Sequence, residues 1–113
     1  MIRCTIILLM LMITNAKSDE IASWYGGGEY LSRRTANGER FNPNGHTAAH
    51  RTLPFGTYVR VTNLRTGLST VVKITDRGPA KYTGRSIDLA RGGAYDIGLV
   101  QSGTAHVKLE IVK

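Results

Sequence analysis

Apolar and polar residues alternate over much of this chain with the period of two expected of half-buried strands. From Tyr58 to Thr62 the alternation is strict, with Val59 and Val61 on one face and Tyr58, Arg60 and Thr62 on the other. Ser69 to Thr75 reads as a second long strand and Ile87 to Leu89 as a short buried one. Val107 to Val112 closes the chain, with Val107, Leu109 and Ile111 toward the core. Ile21 to Tyr25 reads as a first strand ending at the turn Gly26-Gly27-Gly28, and Leu64 to Gly67 as a further turn. Helical character is confined to Ala90–Leu99, where Gly92-Gly93 weakens it. Short strands separated by turn signals predict a small all-β domain, a barrel or a sandwich. No repeat, low-complexity tract or linker interrupts it.

The N-terminal segment breaks this pattern. Arg3 supplies a positive charge, Ile6 to Ile13 is almost wholly apolar, and Thr14-Asn15-Ala16 offers the small residues a signal peptidase accepts. The apolar run is too short to span a bilayer as a helix. Residues 1–16 therefore read as a cleaved secretory signal and 17–113 as the barrel domain, exported to a periplasmic or extracellular, wall-associated location. Cys4, the only cysteine, lies before the apolar run, so it is misplaced for a lipoprotein anchor and leaves the remainder without disulfides. Roughly 95 residues suffice for one small core and not for two.

The chain has 13 glycines and a net charge of +7; without Arg3, 14 Lys and Arg face 8 Asp and Glu, a net of +6. Neither a basic helix nor paired aromatic strand motifs accompany that charge, which argues against nucleic acid as partner. Solubility accounts for the charge, as does attraction to an anionic surface outside the cytoplasm.

Candidate chemistry concentrates between Arg34 and Pro79. Glu39 follows the Asn37-Gly38 turn, His50 precedes the turn residues Pro54 and Gly56, and Asp76 ends an apolar strand before Gly78-Pro79. Element ends are where a rigid scaffold presents functional groups.

Six ordered motifs resemble the rare lipoprotein A (RlpA) family. They are Ala22-Ser23-Trp24-Tyr25-Gly26, Arg34-Thr35-Ala36-Asn37-Gly38-Glu39, Thr47-Ala48-Ala49-His50, Leu53-Pro54-Phe55-Gly56-Thr57, Val59-Arg60-Val61-Thr62-Asn63 and Asp76-Arg77-Gly78-Pro79, with Arg85-Ser86-Ile87-Asp88-Leu89 beyond them. The resemblance covers essentially everything after the signal. It implies a six-stranded double-psi β-barrel with one or two short helices, related in fold to expansins. It also implies endolytic lytic transglycosylase activity on peptidoglycan glycan strands, preferentially those poor in stem peptides. The lipid-anchoring cysteine and the C-terminal peptidoglycan-binding domain of longer members have no counterpart here, so a free, monomeric secreted barrel is expected.

A lytic transglycosylase needs one carboxylic acid that protonates the glycosidic oxygen and then, as carboxylate, takes the proton of the sugar's C6 hydroxyl as that oxygen attacks C1. Asp76 is the first choice, since Val71, Val72 and Ile74 precede it and could desolvate it. Arg77 next to it opposes that effect, although successive side chains of a strand point to opposite faces. Glu39 and His50 match family positions tied to activity. Glu39 is expected to orient the acid or stabilise the oxocarbenium-like transition state, and His50 to bond Asp76 or a sugar hydroxyl. Their structural alternatives are a solvated turn residue and a packed histidine satisfied by backbone.

Asp88 is a secondary site candidate, facing away from Ile87 and Leu89. Trp24 and Tyr25 are candidates for stacking on sugar rings, with core packing as the alternative. Arg51, Arg60 and Arg77 are candidates for pairing with the lactyl carboxylate of muramic acid. His46, His50 and His106 lack metal-ligand spacing, so neither metal nor other cofactor is expected. His46 stands where family members carry an apolar residue. Two further classes share this fold: a non-catalytic, expansin-like wall-binding or wall-loosening module, and a secreted inhibitor or effector.

Overall fold

The structure, a computed structural model, describes residues 16–25 and 34–112. The apolar segment read as a signal and the turn at Gly26-Gly27-Gly28 lie outside the described residues. Six strands form the fold: β1 (Ala16–Tyr25), β2 (Thr47–His50), β3 (Tyr58–Asn63), β4 (Ser69–Asp76), β5 (Ile87–Ala90) and β6 (Thr104–Val112). They close into a barrel in the order β1-β5-β2-β4-β3-β6, with β6 returning to β1. Pairings β1–β5 and β2–β4 are parallel and the others antiparallel, the mixed six-stranded closure of a double-psi barrel. Closure removes the open edges at which sheets aggregate.

The alternation read from the sequence is what fills the interior. Val59 and Val61 of β3, Val72 and Ile74 of β4, Ile87 and Leu89 of β5, and Val107 of β6 are fully buried, and Leu109 nearly so. Ile111 differs from expectation: at 38% exposure it lies outside the core. β1 starts five residues before the expected strand. It keeps its antiparallel pairing with β6 across an irregularity between Lys17 and Glu20, where Asp19 takes a left-handed φ of 64°. β2 carries no periodic signal and is a strand only by virtue of its neighbours.

The weakly helical segment forms two short helices, α1 (Arg91–Asp96) and α2 (Leu99–Ser102). They carry Ala94, Ile97 and Leu99 into the core. Gly92 allows α1 to lie against the preceding loop: a Cβ there would sit 2.2 Å from the Asn44 carbonyl oxygen. The backbones are joined by a hydrogen bond from Gly92 N–H to Pro43 O, 3.0 Å.

Candidate active site

One irregularity in β4 decides where Asp76 points. Val72 and Ile74 face inward, so unbroken alternation would turn Asp76 into the core as well. The β2–β4 register shifts instead. Ala48 pairs with Ile74, yet Ala49 pairs with Asp76, so Thr75 is an extra residue on β4. Such a bulge reverses the facing of everything after it. Asp76 thereby joins the outward row of Ala49, and the row continues through Asp88 on β5 to Ser23 on β1. Asp76 and Asp88 thus stand on one face, separated by β2 and by two strand spacings, roughly 10 Å at the backbone.

Asp76 is partly buried and is held by the chain around it. Its Oδ1 accepts hydrogen bonds from the N–H groups of Ala36, 3.1 Å, and Arg77, 2.9 Å. Among the described residues its Oδ2 accepts none, which leaves one carboxyl oxygen for a ligand. The Ala36 contact belongs to a loop that Asn37 fastens to the bulge, its N–H donating to Thr75 O at 3.1 Å. Asp88 Oδ1 accepts from the Ser23 hydroxyl at 2.9 Å, and the Arg85 guanidinium donates to that same hydroxyl oxygen at 2.8 Å.

Glu39 sits on the exposed tip of the same loop. The Asn37 side-chain amide donates to its Oε1, and the Lys73 ammonium lies 3.1 Å from it. These two partners, the Asn37 hydrogen bond first, hold its carboxyl below the usual glutamate range. Glu39 is therefore an anion rather than a proton donor. Asn37 and Lys73 are contributors that sequence reasoning missed. The available signal for Lys73 was its position as the one charged residue between Ser69 and Thr75, a stretch otherwise apolar and hydroxyl-bearing.

His50 Nδ1 accepts the backbone N–H groups of Thr52, 3.2 Å, and Leu53, 3.1 Å. That pattern assigns the unprotonated nitrogen to Nδ1, so the neutral ring carries its proton on Nε2. His50 thus shapes the turn after β2 as well as standing at its end.

The two arginines brace the same rim. Arg51 Nη1 donates to the carbonyls of Pro79 and Arg85, each at 2.8 Å, and Arg77 Nη1 donates to those of His50, 3.1 Å, and Leu53, 2.8 Å. The Arg77 guanidinium also lies 4.0 Å above the Phe55 ring. Trp24 pairs with Leu89 on the inward parity of β1 and packs against the core. Tyr25 stacks on Phe41 with ring centroids 5.1 Å apart. The structure thus brings Asp76, Asp88, Glu39 and His50 to one region and gives Trp24 a core contact.

Two cavities open among the described residues, one of them at this region. One, of about 170 Å³, lies beside Glu39 and is lined by Phe41, Thr35, Thr47 and Thr75 among others. Among the described residues, the hydroxyls of Thr47 and Thr75 are buried without a hydrogen-bond partner. Leaving a buried hydroxyl unmet costs about 1–3 kcal/mol. The other, about 350 Å³, is lined by Asn44, His46, Arg91 and Tyr95, with His46 Nε2 2.6 Å from Asp96 Oδ2. His46, His50 and His106 each have different partners, His106 facing Asp19 at 3.0 Å.

A closed, mixed six-stranded barrel with these pairings defines a double-psi β-barrel, with Asp76 and Asp88 on one of its outer faces. The sequence model of the lytic transglycolase family matches residues 17–109, and the chain belongs to that family. It is 64% identical over 94 residues to the "Probable endolytic peptidoglycan transglycosylase RlpA" of Synechocystis sp., covering 82% of this chain and 28% of that protein. It is 51% identical over 89 residues to the endolytic peptidoglycan transglycosylase RlpA of Neisseria meningitidis serogroup A, covering 79% and 36%. The chain thus spans about a third or less of the length of these relatives. In fold it is similar to the Streptomyces papain inhibitor, with a TM-score of 0.67 at 16% identity, covering 89% of this chain and 97% of that one. It is also similar to a Clavibacter michiganensis expansin in complex with cellohexaose, TM-score 0.65 at 16% identity, covering 85% and 50%. The last two likenesses concern the barrel alone.

Proposed function

We propose that this barrel is an endolytic peptidoglycan lytic transglycosylase acting outside the cytoplasm, with Asp76 as its acid and base. The observation that carries the reading is the Thr75 bulge, which turns Asp76 out of the core and leaves Oδ2 available while two backbone N–H groups fix Oδ1. The names of the RlpA relatives support the same substrate and reaction.

In the first half of the reaction Asp76 Oδ2–H protonates the glycosidic oxygen as the C1–O bond breaks. Positive charge then grows at the anomeric carbon, where the anionic Glu39 stabilises it. In the second half the C6 hydroxyl oxygen bonds to C1, its proton passes to the Asp76 carboxylate, and a 1,6-anhydro ring closes. No water is consumed. A hydrolase would instead need a second carboxyl to activate water.

Strands stripped of stem peptides expose lactyl carboxylates, which suit a barrel domain whose 14 Lys and Arg against 8 Asp and Glu give a net charge of +6. Mass spectrometry of digested peptidoglycan is expected to show new 1,6-anhydromuramic ends, one water lighter than reducing ends. Release is expected to rise after amidase treatment. New reducing ends alone would make the protein a hydrolase, and tight binding without new ends of either kind would make it an expansin-like binder.

A further inference from the structure

The cavity beside Glu39 has the composition of a subsite for an acyl substituent. Two observations point to a ligand rather than to a packing gap. Its lining includes Phe41, which is 4% exposed, and Thr47 and Thr75, whose hydroxyls are buried without partners among the described residues. Thr75 is 1% exposed and sits in the bulge itself, immediately before the proposed acid. Buried hydroxyls are normally paired, so an occupant with hydrogen-bonding capacity completes this site. A volume of about 170 Å³ exceeds that of several waters, at roughly 30 Å³ each.

We propose that this cavity receives the 2-acetamido group of the sugar whose C1 faces Asp76. The inference rests on the glycan-cleaving reading above and names the substituent that the site selects. The substituent at C2 is vicinal to the bond being broken, so a pocket adjoining the acid is where it falls. The acetamido carbonyl accepts from the Thr75 and Thr47 hydroxyls, and its methyl group lies against Phe41. An amine at C2 has no carbonyl to accept those hydrogen bonds and no methyl group to cover the ring. It leaves both hydroxyl protons without that acceptor, and a site built for a hydrogen-bonding group discriminates most strongly against a ligand that lacks it.

The test compares amidase-stripped glycan chains with the same chains after chemical de-N-acetylation. Affinity is read by titration calorimetry and cleavage by product mass spectrometry. For the unaltered protein the acetylated chains are expected to bind about tenfold more tightly, the worth of one good buried hydrogen bond. Thr75→Val, which keeps the shape and removes the hydroxyl, is expected to lower the affinity ratio between the two chains several-fold relative to the unaltered protein. Thr75→Ser is expected to restore it, and Thr47→Val to reduce it partly. Comparing the ratio across variants cancels the charge difference between the two glycans, since none of these substitutions alters charge. Equal affinity for both chains in the unaltered protein, or a ratio unmoved by both valine variants, overturns the subsite. Binding with the expected ratio but without new chain ends upholds the subsite and overturns the lyase reading instead.

Discussion

At the scale of single residues, the candidate carboxyls Asp76 and Glu39 are set apart by their surroundings. Asp76 has one oxygen fixed by backbone and one available, whereas Glu39 is bound by an amide and an ammonium. Asp76→Asn keeps the shape and loses the transferable proton. Cleavage is expected to fall on the order of 10²- to 10⁴-fold, with the thermal midpoint little changed, as followed by muropeptide release and circular dichroism. Glu39→Gln and His50→Ala are expected to cost less. The charge on Glu39 gives a separate check. Asn37→Ala is expected to raise the Glu39 midpoint toward the ordinary value of 4.5, and by more than Lys73→Met does, as read from its side-chain carbon shift in an NMR titration. Because that value is depressed in the fold, whatever stability Glu39 contributes is present above 4.5 and is lost as pH falls through the lower folded value. A Glu39 midpoint unmoved by Asn37→Ala would remove the amide as its cause.

At the scale of elements, the short pieces matter most. β2 is four residues long, yet it is the strand against which β4 shifts register and on which Asp88 and Asp76 are both aligned. α1 is held to the loop before β2 through Gly92, and the Asn44 and Gly45 carbonyl oxygens would lie 2.2 and 2.6 Å from any added Cβ. Backbone cannot step aside as a flexible side chain does. Gly92→Ala is therefore expected to destabilise by about 1–3 kcal/mol, lowering the melting temperature by at least about 4 °C. A thermal scan showing no loss would mean that the loop and α1 separate freely. The bulge is the second such piece: Thr75 is both the residue that reverses Asp76 and the one whose carbonyl anchors the Asn37 loop.

At the scale of the whole molecule, closure and charge act together. The barrel joins β1 to both β5 and β6, so the two carboxylates stand on a wall that cannot splay without breaking pairings around the ring. A rigid scaffold of this kind holds groups in the geometry that catalysis requires. The barrel domain's net charge of +6, 14 Lys and Arg against 8 Asp and Glu, acts at longer range. Raising salt from about 0.05 to about 0.5 M shortens the screening length well below 10 Å. Retention on amidase-stripped sacculi in a pelleting assay is expected to fall several-fold, with a smaller fall on sacculi that keep their stem peptides. Equal salt dependence for both would detach the charge from the lactyl groups.

Much of the barrel was legible in the chain itself, because burial on one face of a strand imposes a period of two. Val59, Val61, Val72, Ile74, Ile87, Leu89, Val107 and Leu109 carry that period and form the core that it implies. The ordered motifs around Glu39, His50 and Asp76 singled out a candidate region by family resemblance, and the fold brings these three side chains near one another. Three features were decided only in three dimensions. β2, with two alanines and no alternation, is a strand because β4 and β5 supply its hydrogen bonds. Asp76 faces outward because a pairing register, which belongs to two strands at once, skips Thr75. The Glu39 carboxyl is lowered first by the Asn37 amide two residues away and further by Lys73, which is distant in sequence and brought beside it only by the fold. A local pattern records which face of a strand is buried; it holds no information about which residue of another strand lies opposite.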